Sequence, residues 1–578
     1  MMQHWEIKPL TSADDELAKR LSYELNISRA AALLLVHRGL DTAEKARQFI
    51  RPRLEDLHNP FLMQDMDKAV ERLQKAIATN EKILVYGDYD VDGTTAVALV
   101  YQYLLTQHPN IDYYIPDRYK EGYGISFQGI DYAKQTGCTL IIALDCGIRS
   151  IDKVQYATGL GIDFIICDHH LPGNELPEAV AVLDPKRTDC HYPCKDLCGC
   201  GVGFKLMQAL SQKQGWQDST WRHLLQLTAL SIASDIVPIT GENRILAHYG
   251  LQQIRKQPSV GIACLMQQAK VEHTKVNTSD LVYRIGPRIN ACGRIHSGKD
   301  AVMLLITDNL QQAQLLSEAV EKNNNERKQH DQHITVEALK MLRADADNEQ
   351  HKSTVVCGQN WHKGVIGIVA SRLTETYYRP TIVLTEMDGI VSGSARSVGG
   401  FDIYAAIDSC SDLLTNFGGH IYAAGLSMKA ENYPLFKQRF EQYVASHILP
   451  EQQQPVLQIE QELHFEDITN KFVSVIKHLE PFGPGNEQPV FITKHICNYR
   501  YTREVGKPTD EQGNPVKTHL RLDVTDGTGA LGGIAFGKGE LAKELMNGKN
   551  ADICYELQEN TYNGKTTVQM MVEDIKIL

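Results

Sequence analysis

The segment Val85-Tyr86-Gly87-Asp88-Tyr89-Asp90-Val91-Asp92-Gly93, directly after the apolar pair Ile83-Leu84, constrains this chain more than any other. Three carboxylates stand at alternate positions where a buried strand runs out and a helix is about to begin. Burying one carboxylate is costly, and several close together need compensating positive charge. Divalent cations that prefer oxygen ligands, such as Mg²⁺ and Mn²⁺, are the usual compensation. The segment therefore calls for further ligands from elsewhere in the chain.

The pattern around it supplies them. An amphipathic helix over Met66 to Ala78 leads into the strand Ile83 to Tyr86, and Gly93-Thr94-Thr95 opens a helix over Ala96 to Leu105. Further apolar runs at Ile111 to Ile115, Leu140 to Leu144, Ile162 to Ile166 and Ala179 to Leu183 alternate with helical patterns. That alternation predicts a parallel sheet with helices on both faces. Ligands of such sheets lie beyond the carboxyl ends of the strands. Asp88, Asp90 and Asp92 follow the first strand, Asp145 follows Leu144, and Asp168-His169-His170 follows Cys167. Asp235 follows the helical pattern Trp221 to Ala233, so four segments converge on one crevice.

The set Asp90, Asp92, Asp145, His169 and Asp235 mixes carboxylate with imidazole, which suits Mn²⁺ somewhat better than an all-oxygen site would. One carboxylate can bridge two metals about 3.5–4 Å apart, and such a pair activates water and stabilises in-line displacement at phosphorus. Asp145, alone at the end of a central strand, is the expected bridge. A single strand-end Asp is ordinarily a cap or turn former; four converging segments are not.

With 578 residues the chain should hold three or four domains of about 150 residues each. Residues 1–60 read as short helices, 61–310 as the catalytic α/β domain, 311–350 as a long connecting helix and 351–448 as a second α/β lobe. After the linker Glu451-Gln452-Gln453-Gln454-Pro455, residues 455–578 carry short alternating β patterns and the turn signals Asp526-Gly527 and Asn563-Gly564, which predict a small barrel. No apolar run reaches the roughly 18 residues of a bilayer span, and no signal-peptide core is evident. Thirteen cysteines, an odd number scattered through long domains, argue against a disulfide framework. The expectation is a soluble cytoplasmic protein without membrane contact. A net charge of −12 argues weakly against a nucleic-acid partner, yet metal-binding carboxylates contribute to it and a local basic groove can coexist with it.

The motifs Gly87-Asp88-Tyr89-Asp90-Val91-Asp92-Gly93, Leu144-Asp145-Cys146-Gly147, Asp168-His169-His170 and Asp235 occur in the order of the four motifs of the DHH phosphoesterase superfamily, which the chain resembles. Glu121-Gly122-Tyr123-Gly124, His170-Leu171-Pro172-Gly173, Gly286 to Arg294, Trp361 to Gly367, Phe417-Gly418-Gly419-His420 and Pro481 to Asn486 narrow this to the RecJ family of bacterial single-strand-specific 5′→3′ exonucleases. The likeness runs over essentially the whole chain. It implies two Mn²⁺ or Mg²⁺ ions, Mn²⁺ preferred, on Asp90, Asp92, Asp145, His169 and Asp235. Asp88 and His170 would complete the shell, with His170 steering a phosphate oxygen and Asp88 orienting ligands, so that losing Asp88 should hurt less than losing Asp90 or Asp92. Cys146 departs from the Asn often found there; a coordinated thiolate is one reading, and a small packed residue is the favoured one.

In the second lobe, Gly418-Gly419-His420 and Ser392 to Ser397 would let backbone N–H groups and Arg396 meet a phosphate. A glycine pair alone is only a tight turn; the resemblance is what makes this one a phosphate site. On the same footing Arg288, Asn290 and Arg294 would form a phosphate-holding loop facing the metals, and Arg372, Ser394 and Arg396 would line the strand's path. A 5′-phosphate held at a fixed distance would act as a ruler for mononucleotide release. The last domain resembles an oligonucleotide-binding (OB) barrel, with Tyr499, Tyr501, Phe536, Tyr555 and Tyr562 among Lys494, Arg500 and Arg503. Core packing should claim at least half of those aromatics. Cys190, Cys194, Cys198 and Cys200 read as packing rather than a zinc site, since C-x-C spacing is atypical, and the run Gly199 to Gly203 lacks the Gly-Lys-Ser/Thr ending of a Walker loop.

The leading expectation is a monomeric two-metal exonuclease that takes single-stranded DNA by its free 5′ end and acts in recombination and repair, with a helicase and a single-strand-binding protein as candidate partners. Two alternatives stand beside it. One is a DHH-type oligonucleotide or cyclic-dinucleotide phosphodiesterase, against which residues 455–578 argue. The other is a non-catalytic DNA-binding scaffold, which should have lost ligands that are all present here.

Overall fold

The computed structural model describes residues 3–507, 516–562 and 564–578; Asn563 and the side chains of Tyr562 and Lys565 lie outside the described residues. Two compact units emerge, residues 54–453 and residues 1–53 with 454–578.

The first unit is built on a five-stranded parallel sheet in the order Ile111–Tyr114, Lys82–Gly87, Cys138–Leu144, Asp163–Cys167, Ala181–Leu183. Its strands read as continuous apolar runs because both faces are covered. Ile83 and Val85 enter one core with the helices Val91–Leu105 and Gly199–Gln214. Leu84 and Tyr86 enter the other, beneath Phe127–Gln135 and Ile151–Gly159. The register sets Gly87 beside Leu144 and Leu144 beside Cys167. Three strands therefore stop in line, and the acidic residues that follow them share one sheet edge.

The connecting helix spans Leu310–Ala344, about 50 Å at 1.5 Å per residue. Its first half puts Ala313 and Val320 into the catalytic core, and its second half puts Ile334, Ala338 and Leu342 into the second lobe. That lobe holds a mixed sheet in the order Asn416–His420, Ala423–Lys429, Ile390–Arg396, Thr381–Met387, Thr354–Gln359. Only the last pair is parallel. Where the sequence suggested a linker, residues 450–453 form a short turn held by Gln452, whose Nε2 donates to the Gly400 carbonyl at 2.6 Å.

In the second unit Phe491–Asn498, Ala551–Tyr562, Lys565–Ile577, Ala530–Ala535 and His519–Thr525 pair in that order. A further pairing of Phe491–Asn498 with His519–Thr525 closes the ring. Closure removes the exposed edges that a small open sheet would carry. The N-terminal helices Ser12–Leu25, Arg29–Val36 and Ala43–Ile50 share this barrel's core: Leu21, Leu34 and Leu35 cluster with Phe472, Phe491 and Tyr555. A strand at His4–Ile7, unforeseen in a segment read as helical, pairs in parallel with Val456–Ile459.

One fully buried ion pair ties the helical layer of the catalytic lobe together. Lys205 Nζ lies 2.9 Å from Glu242 Oε1, and Glu242 also accepts from the His58 N–H at 2.9 Å and from Tyr192 Oη at 2.5 Å. Removing one partner strands the other charge, so Glu242→Ala should cost about 3–5 kcal/mol. The double change Lys205→Met with Glu242→Leu should cost less. Urea-unfolding midpoints check this, and a double variant weaker than Glu242→Ala would contradict it.

Candidate metal centre

Each acidic residue is placed by the element that ends or begins beside it. Asp90 caps the helix Val91–Leu105, its Oδ1 accepting the Gly93 N–H at 3.1 Å, which starts the helix earlier than the glycine and threonines suggested. Gly93 is required there, because a Cβ would lie 2.6 Å from the Asp88 backbone nitrogen and carbonyl oxygen. Asp145 leaves its strand at φ +58°, a conformation unusual outside glycine, with its N–H donated to the Cys167 carbonyl at 2.9 Å. Asp235 closes the helix Leu225–Ser234.

These segments meet. His169 Nε2 lies 3.2 Å from Asp145 Oδ1 and 3.6 Å from both Asp92 Oδ2 and Asp235 Oδ2. Three sets of potential ligand atoms fall within 4.8 Å of one another: Asp88, Asp90 and Asp145; Asp92, His169 and Asp235; Asp145, His169 and His170. Asp145 and His169 each belong to two sets, which is the arrangement expected around a bridge.

The electrostatics fit a cationic occupant. Both Asp88 oxygens, Asp145 Oδ1 and His169 Nδ1 are buried without a hydrogen-bond partner in the protein. Burial and then Asp90 push the Asp88 carboxyl well above the ordinary range. Burial and then Asp92 do the same to Asp145, and they raise Asp235 to about 8. Burial lowers the His169 imidazole, favouring the neutral form that ligates metals. Orphaned, mutually repelling carboxylates beside a neutral imidazole fit two divalent ions.

Two roles differ from the sequence expectation. Asp88 was expected within the metal shell as its orienting member; both its oxygens are unpartnered inside a ligand set, which fits a direct ligand better than an orienting group. Orientation belongs to Asp168, which the sequence reading left without a role. Its Oδ2 accepts the Ile148 N–H at 2.9 Å, and its Oδ1 accepts the N–H groups of His169 and His170 and faces His170 Nδ1 at 2.7 Å. Burial opposes ionisation there, but the His170 hydrogen bond and charge hold Asp168 down at about 2.

The Gly199 to Gly203 run opens the helix Gly199–Gln214 at this centre. Gly199 and Cys200 donate their N–H groups to Asp92 at 2.6 and 2.7 Å, and Ser231 Oγ adds a third bond at 2.7 Å. A helix N-terminus thus steadies one carboxylate. Cys198 caps the same helix through Sγ, accepting the Gly201 N–H, and Cys146 is a buried packing residue. Among the described residues the four clustered cysteines form no metal-binding group.

The predicted phosphate residues divide. Arg288 does not face the metals: its guanidinium is held by Glu321 at 2.6 Å and by the Arg284 carbonyl at 2.5 Å. Asn290 accepts the Val91 N–H at 3.2 Å and so braces the acidic loop. Arg372 pairs with Asp331 at 2.7 Å. Arg294 and Arg396 behave otherwise. Burial, then Arg118, Arg327 and Arg396, lower Arg294 to about 10. Among the described residues none of these four arginines has a carboxylate within ion-pair distance. Arg118 lies over the Tyr89 ring at 5.0 Å, and with Arg327 it was missed by sequence; its place three residues before Glu121-Gly122-Tyr123-Gly124 was the available signal.

Sheet register unites the rest. His420, Ala423 and Arg396 are paired across three strands, as are Gly418, Gly425 and Ser394, so both rows share one face. Gly419 has φ +151°, and a Cβ there would lie 2.3 Å from the Ala423 carbonyl oxygen. Arg396 Nη1 donates to Ser394 Oγ at 2.8 Å. In the barrel, Tyr555 is core, whereas Tyr499, Tyr501 and Phe536 are exposed.

The raised carboxyls carry a sign. A carboxyl raised in the fold keeps a proton that the unfolded chain has lost, so the metal-free protein loses stability as pH climbs from about 4 to about 8. Metal must displace that proton. Calorimetric titration with Mn²⁺ at about pH 7 should therefore show proton release as a dependence of heat on buffer ionisation enthalpy, with tighter binding at about pH 8 than at about pH 6. Buffer-independent heat would contradict the assignment.

Comparison with known proteins agrees with this geometry. Residues 82–232 match the DHH family N-terminal domain, 350–446 the DHHA1 domain and 459–574 the RecJ OB domain. The single-stranded-DNA-specific exonuclease RecJ of Bacillus subtilis is 35% identical over 99% of this chain and 71% of its own length. The Escherichia coli protein of that name is 33% identical over 94% and 95%. The crystal structure of Thermus thermophilus RecJ in complex with Mn²⁺ superposes with a TM-score of 0.83 at 26% identity, covering 99% of this chain and 79% of that one. A Mg²⁺ complex of the same protein gives 0.77 at 25% identity, covering 99% and 78%. By sequence, domain order and fold, the chain belongs to the RecJ family.

Proposed function

We propose that the protein is a metal-dependent exodeoxyribonuclease that degrades single-stranded DNA from a free 5′ end and releases 5′-mononucleotides. The observation that carries this reading is the junction of a two-metal ligand set with a cluster of arginines that lack carboxylate partners. Asp88, Asp90 and Asp145 would hold one Mn²⁺ or Mg²⁺, and Asp92, His169 and Asp235 the other, with Asp145 shared. When bound, the ions supply Lewis acidity toward phosphate and water at neutral pH.

The chain's own groups do the rest. Asp92 is held by two backbone N–H groups and Ser231, so its free valence is fixed before any ion arrives. Asp168 keeps His170 at the mouth of the cluster, beside the place a phosphate on the metals would occupy. Arg294, Arg396 and Ser394, with Arg118 and Arg327, would receive the terminal 5′-phosphate, which a half-buried guanidinium cluster attracts strongly. Arg294 Nη1 donates to the Gly364 carbonyl at 2.8 Å, which fixes the catalytic lobe's arginine against the second lobe. A phosphate held there would set the length of the product.

The barrel unit presents a groove of about 990 Å³ bordered by Tyr501, Arg503 and Arg521, with chemistry suited to stacking and backbone neutralisation. A small dinucleotide substrate would have no use for it, and a scaffold would have no use for orphaned carboxylates. Action in recombination and repair, handover from a helicase and a single-strand-binding protein, a monomeric state and a cytoplasmic location belong to the same reading. No helix among the described residues is long and apolar enough to cross a membrane.

A gel comparing 5′- and 3′-labelled single strands with duplex, with and without Mn²⁺, tests the assignment. Loss of label as mononucleotide should occur from the 5′-labelled single strand with metal, and Asp145→Ala should abolish it. Arg396→Ala should raise KM for a 5′-phosphorylated strand about tenfold or more, because charged hydrogen bonds are worth roughly 1.5–3 kcal/mol. A strand left intact by native protein with Mn²⁺ would overturn the reading.

A further inference from the structure

The motif Glu121-Gly122-Tyr123-Gly124 contributes nothing to the ligand sets, yet its local structure is closely specified. The Glu121 carboxylate accepts from the Asp117 N–H at 2.8 Å, Tyr114 Oη at 3.0 Å and Ser126 Oγ at 2.5 Å. Gly122 and Gly124 sit at φ +87° and +79°, which side chains disfavour. The Gly124 carbonyl accepts Tyr86 Oη at 3.0 Å, and Tyr86 belongs to the strand Lys82–Gly87, which Asp88 follows directly. The loop is thus fastened to the strand that delivers the ligands, and two glycine bends project the residue between them.

That residue is Tyr123. Its hydroxyl lies 3.2 Å from the backbone carbonyl oxygen of Asp145, to which it donates, and 3.2 Å from His170 Nε2. Its ring meets the His170 ring edge-on at 6.0 Å and Tyr89 at 6.3 Å. The other nitrogen of His170, Nδ1, is 2.7 Å from Asp168 Oδ1. Both imidazole nitrogens are therefore engaged, and the ring is clamped from two sides. The single hydroxyl proton goes to the Asp145 carbonyl, so toward His170 the Tyr123 oxygen acts as acceptor for an Nε2–H.

We propose that Tyr123 is a positioning residue of the reaction, holding His170 jointly with Asp168. The ring then stays beside the metal cluster without turning to ligate it, and the same hydroxyl ties it to the backbone of the bridging Asp145. The proposal rests on the nuclease reading for the identity of the substrate beside His170, but not for the contact itself.

Tyr123→Phe removes the hydroxyl and keeps the ring. In the full-length protein with Mn²⁺ it should lower kcat roughly ten- to hundredfold, with KM for single-stranded DNA and Kd for Mn²⁺ within about twofold of native. In a His170→Ala background the same change should have no further effect. A native kcat, or an equal loss in both backgrounds, would overturn the proposal. Labelling the histidines with ¹⁵N reads the contact without turnover: the His170 Nε2 resonance, identified by its absence from His170→Ala, should move in Tyr123→Phe. An unmoved resonance would refute the clamp. A moved resonance in a native protein that leaves DNA intact would support the clamp and count against the exonuclease reading instead.

Discussion

The mutual repulsion of carboxylates gathered at one edge of a parallel sheet is the constraint on which the rest of this structure depends. Asp88, Asp90, Asp92, Asp145 and Asp235 approach one another where water is largely excluded, and burial alone already disfavours the charge of Asp88, Asp90, Asp145 and Asp235. The fold compensates only some of it. Asp92 is met by the N-terminus of the helix Gly199–Gln214, and Asp168 nearby is met by backbone N–H groups and His170. Asp88 and part of Asp145 are left with nothing. That asymmetry distinguishes Asp92, a ligand oriented in advance by its hydrogen bonds, from Asp88, whose oxygens have no partner in the protein.

A matching excess of the opposite sign stands at the junction with the second lobe. Arg294 and Arg396 are half-buried, burial lowers both, neighbouring arginines lower Arg294 further, and among the described residues neither has a carboxylate within ion-pair distance. With cations on the carboxylates, an anionic group lying between the two clusters would meet positive charge on both sides, and a nucleic-acid backbone carries such groups at regular intervals. The connecting helix Leu310–Ala344 makes this juxtaposition dependable, since its two halves are built into the cores of both lobes. An acidic net charge is therefore no bar to a polyanionic substrate: the sign that matters is local.

Much of this was legible in the sequence, for a physical reason. Strand ends and their acidic successors are written in short stretches of neighbouring residues, so the five parallel strands, the convergence of Asp88, Asp145, His169 and Asp235, and the barrel strands could be read directly. Roles that depend on distant partners could not. The Asp88 and Asp168 side chains differ only in who donates to them. Arg288 was expected at the phosphate because of its motif, but Glu321, thirty-three residues on, claims it. The N-terminal helices read as a separate segment because the barrel residues that complete their core lie more than four hundred positions away; Gln461 Nε2, for instance, donates to the Ala30 carbonyl. Tyr555 was offered as a stacking platform and is core, whereas Tyr499, Tyr501 and Phe536 are exposed; alternation in a closed barrel does not by itself say which face is inward.

Counting Mn²⁺ bound per chain tests the central claim most directly, since the claim is that one shared carboxylate binds two ligand sets into a single centre. Equilibrium dialysis followed by metal analysis should find two ions on the native protein and neither retained tightly by Asp145→Asn, with folding verified by circular dichroism. Two ions still held by Asp145→Asn, or only one held by the native chain, would contradict the account.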